Sequence, residues 1–355
     1  DIHKLWRHSI IVQIAYLYAL HPQRKLILKK NLVYLSSLLS GLLLSVNVLA
    51  TTLSSIYVFG DSLSDAGSNP SAVLSIYNLL GGNCDPAHPC PPYVNGHYSN
   101  GPTAPEYLAN SILSGGANPT NFFSFAVSGA TSGIGNYGDG GSATAPGLYG
   151  LPGMYQELGH YLSLSGGSAD SNALYFVWGG ANDFLTFDSP ITAAQNIASY
   201  VGALANIGAT RILIPNLPDL SLTPFVQDAS LIPQAQAFSL SFNAELALQI
   251  DGLNLLFPSV NIIEFDTFTF LNNVVSNPGG FGITDSHSAC LSSLDACANP
   301  DEYVFWDGFH PTTHAHALIS SAIASAVPEP ETYAMLLVGL CALGFMARRR
   351  KETVV

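Results

Sequence analysis

Five short apolar runs, each followed by a stretch long enough for a helix, constrain this chain more than any other feature. The runs are 56–59, 122–126, 173–178, 210–215 and 260–265, rich in Ile, Val, Leu and aromatic residues. Helical patterns cover 103–113, 147–163, 190–207 and 229–256, and a last one covers 313–326. Strands spaced by helices are joined by crossovers, so they run parallel and are covered on both faces. The expectation is an α/β fold, a three-layer α/β/α domain over residues 51–327. That length can bury one substantial core. The Gly-, Ser- and Asn-rich stretch 128–146 reads as a flexible loop at the carboxyl edge of the sheet.

Charge is distributed unevenly. Residues 51–327 hold one cation, Arg211, against twenty Asp and Glu, a formal charge of −19, whereas the whole chain carries −13. So acidic a surface repels nucleic acid and anionic headgroups, which excludes a backbone-binding role. The basic residues sit at the two ends. Residues 1–50 read as an upstream leader plus a signal peptide: Lys29-Lys30, an apolar region over 32–49, and a small-residue cleavage site at Val48-Leu49-Ala50. Export suits the cysteines. Cys84 and Cys90 bracket one short loop and Cys290 and Cys297 another, two candidate loop-stapling disulfides worth roughly 2–3 kcal/mol each. A zinc site with His88 is the competing reading, but neither spacing is that of a zinc knuckle. Cys341, in the apolar tail, has no partner in this scheme.

Chemistry concentrates in four blocks. The first run breaks at Gly60 and presents Asp61-Ser62, which reads either as a β-turn or as a serine lifted clear of a strand end. Phe125 to Ser132, Trp178 to Asp183 and Trp306 to Pro311 follow in order. Together they supply the parts of an acyl-transfer site. Ser62 is the candidate nucleophile, His310 its base, and Asp307 the group that orients the imidazole. The backbone N–H groups of Ser62 and Gly129 and the Asn182 amide are the candidate oxyanion donors. Gly129 reads as a glycine so that no Cβ blocks the backbone's approach to substrate.

In these blocks the chain resembles the GDSL-type esterases of the SGNH hydrolase superfamily, named for Ser, Gly, Asn and His. The stretch Gly96-His97-Tyr98-Ser99-Asn100-Gly101-Pro102 also fits the family's Gly-Arg-Phe-Ser-Asn-Gly-Pro segment, and the resemblance spans 54–326. It implies a flavodoxin-like parallel sheet of about five strands, carboxylic-ester hydrolysis, and no metal or organic cofactor. The Gly-x-Ser-x-Gly elbow of other hydrolases is excluded, because position 64 is Ser. His97 stands where the family often has Arg, which leaves the substrate-side contact there open. By the same resemblance Asp183 holds the Asn182 loop.

Other residues read as structural. Asp61 and Asp65 are turn and cap residues, with Asp61 supporting the serine. His314 and His316 open a helix, where positions i and i+2 point apart, so they do not form a metal pair. His160 and His287 have no motif around them. Trp178 and Trp306 flank site blocks and read as packing, with Trp306 a candidate pocket wall.

Residues 328–355 form a separate tail: Pro328-Glu329-Pro330, an apolar run over 332–347, and the cluster Arg348-Arg349-Arg350-Lys351. The run is slightly short for a spanning helix, and the cluster would stay cytoplasmic. This resembles the bacterial PEP-CTERM sorting signal, which implies an exosortase-type peptidase as partner, with a plain single-span anchor as the alternative. The whole reads as an exported serine hydrolase of the cell-envelope exterior, touching membrane only through its tail and acting on small-molecule or polymer-borne esters. The alternatives are a polysaccharide O-deacetylase and a non-catalytic glycan-binding surface protein on the same fold.

Overall fold

The computed structural model describes residues 53–327 and, apart from them, Gly339. The leader, the apolar run, the Arg cluster and Cys341 lie outside the described residues, and among those described no helix is long and apolar enough to cross a membrane.

Every expected strand forms. Strands β1 (Ile56–Gly60), β2 (Phe122–Ser124), β3 (Leu174–Trp178), β4 (Arg211–Pro215) and β5 (Asn261–Phe265) pair in parallel in the order β2-β1-β3-β4-β5. The central pair is in register from Ile56↔Leu174 to Gly60↔Trp178. All five residues of β3 are buried, which requires cover on both faces. Alternate residues serve the two layers. Phe59, Tyr175, Val177, Ile212 and Ile214 pack with residues of α2 (Met154–Ser165), α4 (Pro190–Asn206) and α5 (Ile232–Leu256). Val58, Leu174, Phe176, Trp178 and Leu213 pack with α1 (Ala104–Ile112) and α7 (Thr313–Ala326). Each such side chain contributes about 1.5–3 kcal/mol on burial.

Helix starts follow local chemistry. Ser189 caps α4 ahead of Pro190, and the Thr312 hydroxyl accepts the Ala315 N–H at the start of α7. Two expectations change. The helix expected over 147–163 begins only at Met154, because Asp139 takes the Tyr149 and Leu151 N–H groups and holds 147–153 in a bent, non-helical path. The stretch 128–146 is a knitted loop. Gly133, Gly135 and Gly141 sit against backbone, and a Cβ on Gly133 would lie 1.8 Å from Ala143 O.

Between β5 and α7 the chain adds α6 (Thr267–Ser276) and a small parallel pair, β6 (Asp285–Ala289) with β7 (Tyr303–Phe305). A two-residue ladder between them, Leu291–Ser292 with Asp295–Ala296, is closed by the Cys290–Cys297 disulfide. The sequence carries no periodic signal for this part. It matters because it delivers Asp307 and His310. The strand order reverses direction between β1 and β3, and in such sheets ligands bind at the carboxyl ends beside that reversal. Ser62 follows β1, and Asn182 follows β3 on the short helix α3 (Ala181–Leu185).

Candidate active site

At the end of β1 a Cβ on Gly60 would lie 2.2 Å from Trp178 O, so only glycine lets the strand end press against β3. The chain then turns. Asp61 O accepts the Ser64 and Asp65 N–H groups, and Asp61 Oδ1 accepts Leu63 N–H at 3.0 Å. Burial pushes the Asp61 carboxyl up to about 6 against the pull of the Leu63 bond and of His310, and its Oδ2 has no hydrogen-bond partner. Its role as a turn residue beneath the serine matches the sequence reading.

His310 Nε2 lies 2.9 Å from Ser62 Oγ, and its Nδ1 lies 2.9 and 2.8 Å from Asp307 Oδ1 and Oδ2. Asp307 Oδ1 also accepts the N–H groups of Phe309 and His310 at 2.8 Å each. Burial opposes ionisation of Asp307, but His310 and these bonds hold the carboxyl well below the usual carboxylate range. The Tyr93 hydroxyl donates to Asp307 Oδ2 at 2.8 Å. Tyr93 was not legible as a site residue, since 214 positions separate it from its partner and no motif surrounds it.

Gly129 and Asn182 line one cavity with Ser62 and His310. Asn182 Nδ2 donates to Ala130 O at 3.0 Å, which fixes the amide and uses one of its two N–H bonds. The reason for glycine at 129 needs correcting. Its φ is +81°, and an added Cβ would meet Asn136 Oδ1 at 2.3 Å; the obstruction is a neighbouring side chain, not the path of substrate.

Buried acids hold these loops in place. Asp65 Oδ2 accepts Ser128 N–H at 2.8 Å and Ile76 N–H at 3.0 Å, so it reaches well beyond its own turn. Glu157, from α2, accepts Gly60 N–H at 2.9 Å and Val127 N–H at 3.1 Å, tying β1 to the Gly129 loop. Burial raises both carboxyls. Nothing in the sequence marks Glu157.

Asp183 accepts the Ser132 N–H at 2.8 Å and the Ser132 hydroxyl at 2.6 Å, joining α3 to the same loop. Burial pushes its carboxyl from 3.8 up to about 7, against the Ser132 bonds. Its stabilising contribution is full below the unfolded value and is lost as pH rises through about 7. Asn can serve the same two Ser132 groups without titrating. In thermal melts between pH 4 and 7.5, Asp183→Asn should flatten the decline in melting temperature seen for the parent. An unchanged slope removes Asp183 from that pH dependence.

His97 is not on the substrate side. It is buried, with Nε2 2.9 Å from Glu106 Oε2 and Nδ1 2.9 Å from Val94 O, and Glu106 also caps α1 through the Thr103 N–H. Burial disfavours the imidazolium, but Glu106 more than offsets it and keeps the His97 pKa raised. His316 is fully buried and accepts Ala104 N–H, while His314 meets Phe281 O. Among the described residues no group of three or more His, Cys, Asp or Glu is disposed to hold a metal ion. Cys84 is bonded to Cys90 and Cys290 to Cys297, and His88 pairs with Asp85 at 2.8 Å. Trp178 borders the cavity, whereas Trp306 packs behind it against Tyr93, Cys290 and Leu291.

The cavity measures about 750 Å³. Its walls are mostly apolar, with Leu63, Phe184, Phe270, Leu271, Phe305 and Leu318 among them. Polar groups are the minority, and Ser62, Asn182 and His310 are among them, as in a cavity that buries an apolar ligand and orients it through a few polar contacts.

A family model described as GDSL-like Lipase/Acylhydrolase matches residues 56–323, and the PEP-CTERM protein-sorting motif matches 326–351. A GDSL esterase/lipase of Arabidopsis thaliana is 25% identical over 324 residues, covering 75% of this chain and 86% of that protein. Esterase EstA of Pseudomonas aeruginosa is 29% identical over 323 residues, covering 78% of this chain and 47% of its own length. The crystal structure of a G-D-S-L family lipolytic protein from Veillonella parvula aligns with 12% identity and a TM-score of 0.42, over 77% of this chain and 97% of that one.

Proposed function

Because the chain belongs to the GDSL-like lipase/acylhydrolase family, we propose that it is an exported serine hydrolase cleaving carboxylic esters through an acyl-enzyme. The observation that carries the reading is the continuous relay from Ser62 Oγ through His310 to Asp307. Ser62 Oγ attacks the ester carbonyl as His310 Nε2 takes its proton, and Asp307 stabilises the imidazolium. The oxyanion is received by the N–H groups of Ser62 and Gly129 and by the N–H of Asn182 not used by Ala130. As the intermediate collapses, the C–O bond to the alcohol breaks and His310 returns the proton to it. Water, deprotonated by His310, then releases the acid from Ser62.

The apolar cavity supports an ester of an apolar acid over a polymer-borne acetyl group. An organophosphonate should label Ser62 stoichiometrically, as read by mass spectrometry of the digest. A folded protein that stays unlabelled while binding glycans would replace this reading with the non-catalytic one. Asn182→Ala should lower kcat about 10²–10³-fold with KM little changed. A drop of less than fivefold would take the amide out of the oxyanion hole.

The tail motif at 326–351 supports export followed by sorting, with an exosortase-type peptidase cutting near Pro328-Glu329-Pro330. On this reading residues 1–50 are leader and signal peptide, 51–327 the enzyme, and 328–355 a transient anchor.

A further inference from the structure

One side of the cavity differs chemically from the rest. His310 Nε2 hands its proton to the departing alcohol, so whatever flanks that ring meets the leaving group. Two rings do so. The Tyr98 centroid lies 5.3 Å from that of His310 and the His88 centroid 6.1 Å from it, and these two rings are 4.2 Å apart. Both are joined to one carboxylate. The Tyr98 hydroxyl donates to Asp85 Oδ2 at 2.6 Å, His88 Nδ1 lies 2.8 Å from the same oxygen, and Ala87 N–H donates to Oδ1 at 3.0 Å. The His88 bond in particular, helped by Tyr98, holds the Asp85 carboxyl down to about 2 although burial opposes it. Asp85 is therefore ionised throughout the neutral range.

Among the described residues Asp85 is the only carboxylate lining the cavity, and no Lys or Arg lines it. Tyr137 and Tyr149 also line it, and both are largely exposed, which puts two more rings where the cavity meets solvent. A phenol that donates to a carboxylate is polarised toward the ring, and ring faces attract a cation within about 6 Å. The surrounding domain, at −19, adds attraction of the same sign over a longer range.

We propose that this site selects esters whose alcohol is a quaternary or alkyl ammonium alcohol of the choline type, with the Asp85 carboxylate and the Tyr98 ring as its determinants. The proposal rests on the ester-hydrolase reading above and names the substrate class of that same site. It leaves the chemistry unchanged: the alcohol departs with the His310 proton and keeps its fixed charge.

The test compares butyrylcholine with 3,3-dimethylbutyl butyrate, which carries carbon in place of the ammonium nitrogen and has nearly the same shape. Rates are compared at pH 8. At low salt the full-length protein should show a kcat/KM about ten to a hundred times higher for the choline ester. Asp85→Asn should cut that ratio at least fivefold, and 0.5 M NaCl should narrow it in the parent. Because the ratio is taken within one preparation, partial unfolding of a variant cancels. A parent ratio near one, or an Asp85→Asn ratio equal to the parent's, overturns charge selection. So does turnover of p-nitrophenyl butyrate with neither of the two alkyl butyrates cleaved. Failure of the parent to cleave any of the three esters overturns the ester-hydrolase reading instead.

Discussion

Replacing Ser62 with alanine should lower kcat on a soluble ester by about 10⁶-fold, the scale on which an activated serine acts. The size of the effect follows from the contacts. Ser62 Oγ is the atom 2.9 Å from His310 Nε2, and among the described residues no other hydroxyl is bonded to that nitrogen. Alanine leaves the proposed oxyanion donors in place: the backbone N–H at 62 survives, Asn136 Nδ2 donates to Ser128 O of the peptide that carries the Gly129 N–H, and Asn182 Nδ2 donates to Ala130 O. Residual turnover therefore reports the oxyanion hole and binding alone. The measurement is initial rate per folded protein, with the fold checked by thermal melting. Turnover within tenfold of the parent would mean that the relay is not the reaction path.

The second large effect is expected at Asp307→Asn, about 10⁴-fold in kcat. The backbone decides which way the new amide faces. Phe309 and His310 both donate N–H groups to the Oδ1 position, so the asparagine oxygen must sit there. Its NH₂ then falls at the Oδ2 position, where it meets His310 Nδ1. An amide donating to Nδ1 places the ring proton on Nε2, and that nitrogen can no longer accept from Ser62. Tyr93 adds nothing against this, because a hydroxyl that donates to Oδ2 in the parent can rotate to accept from NH₂. The fold should hold, so the loss should appear in kcat with little change in melting temperature. A loss below tenfold would show that His310 keeps its working tautomer without the carboxylate.

Much of this candidate site was legible because its groups lie in short blocks at strand ends or in loops. Ser62, Gly129, Asn182, Asp307 and His310 occupy such positions, and local spacing was enough to pair Asp307 with His310. The five strands were legible for a related reason, since a parallel sheet buried on both faces leaves continuous apolar runs. What stayed hidden acts across long sequence separations. Glu157 reaches Gly60 from 97 positions away and Tyr93 reaches Asp307 from 214, and neither carries a local pattern. His97 stayed open for the opposite reason: the motif gave it a position, but its partner Glu106 gave it a function inside the fold. The loop over 128–146 was misread from composition. Glycine there permits close backbone approach, which composition alone does not separate from freedom.

Both disulfides end in one small apolar cluster. Cys290 lies in it with Tyr93, Leu291 and Trp306, and Cys90 and Cys297 pack against it. Trp306 immediately precedes Asp307, and Tyr93 is bonded to it. The carboxylate that orients His310 is thus braced from behind by two covalent clasps whose loops are some two hundred positions apart in the chain. The two clasps and the carboxylate thus share one packed cluster, reached through Tyr93 on one side and Trp306 on the other.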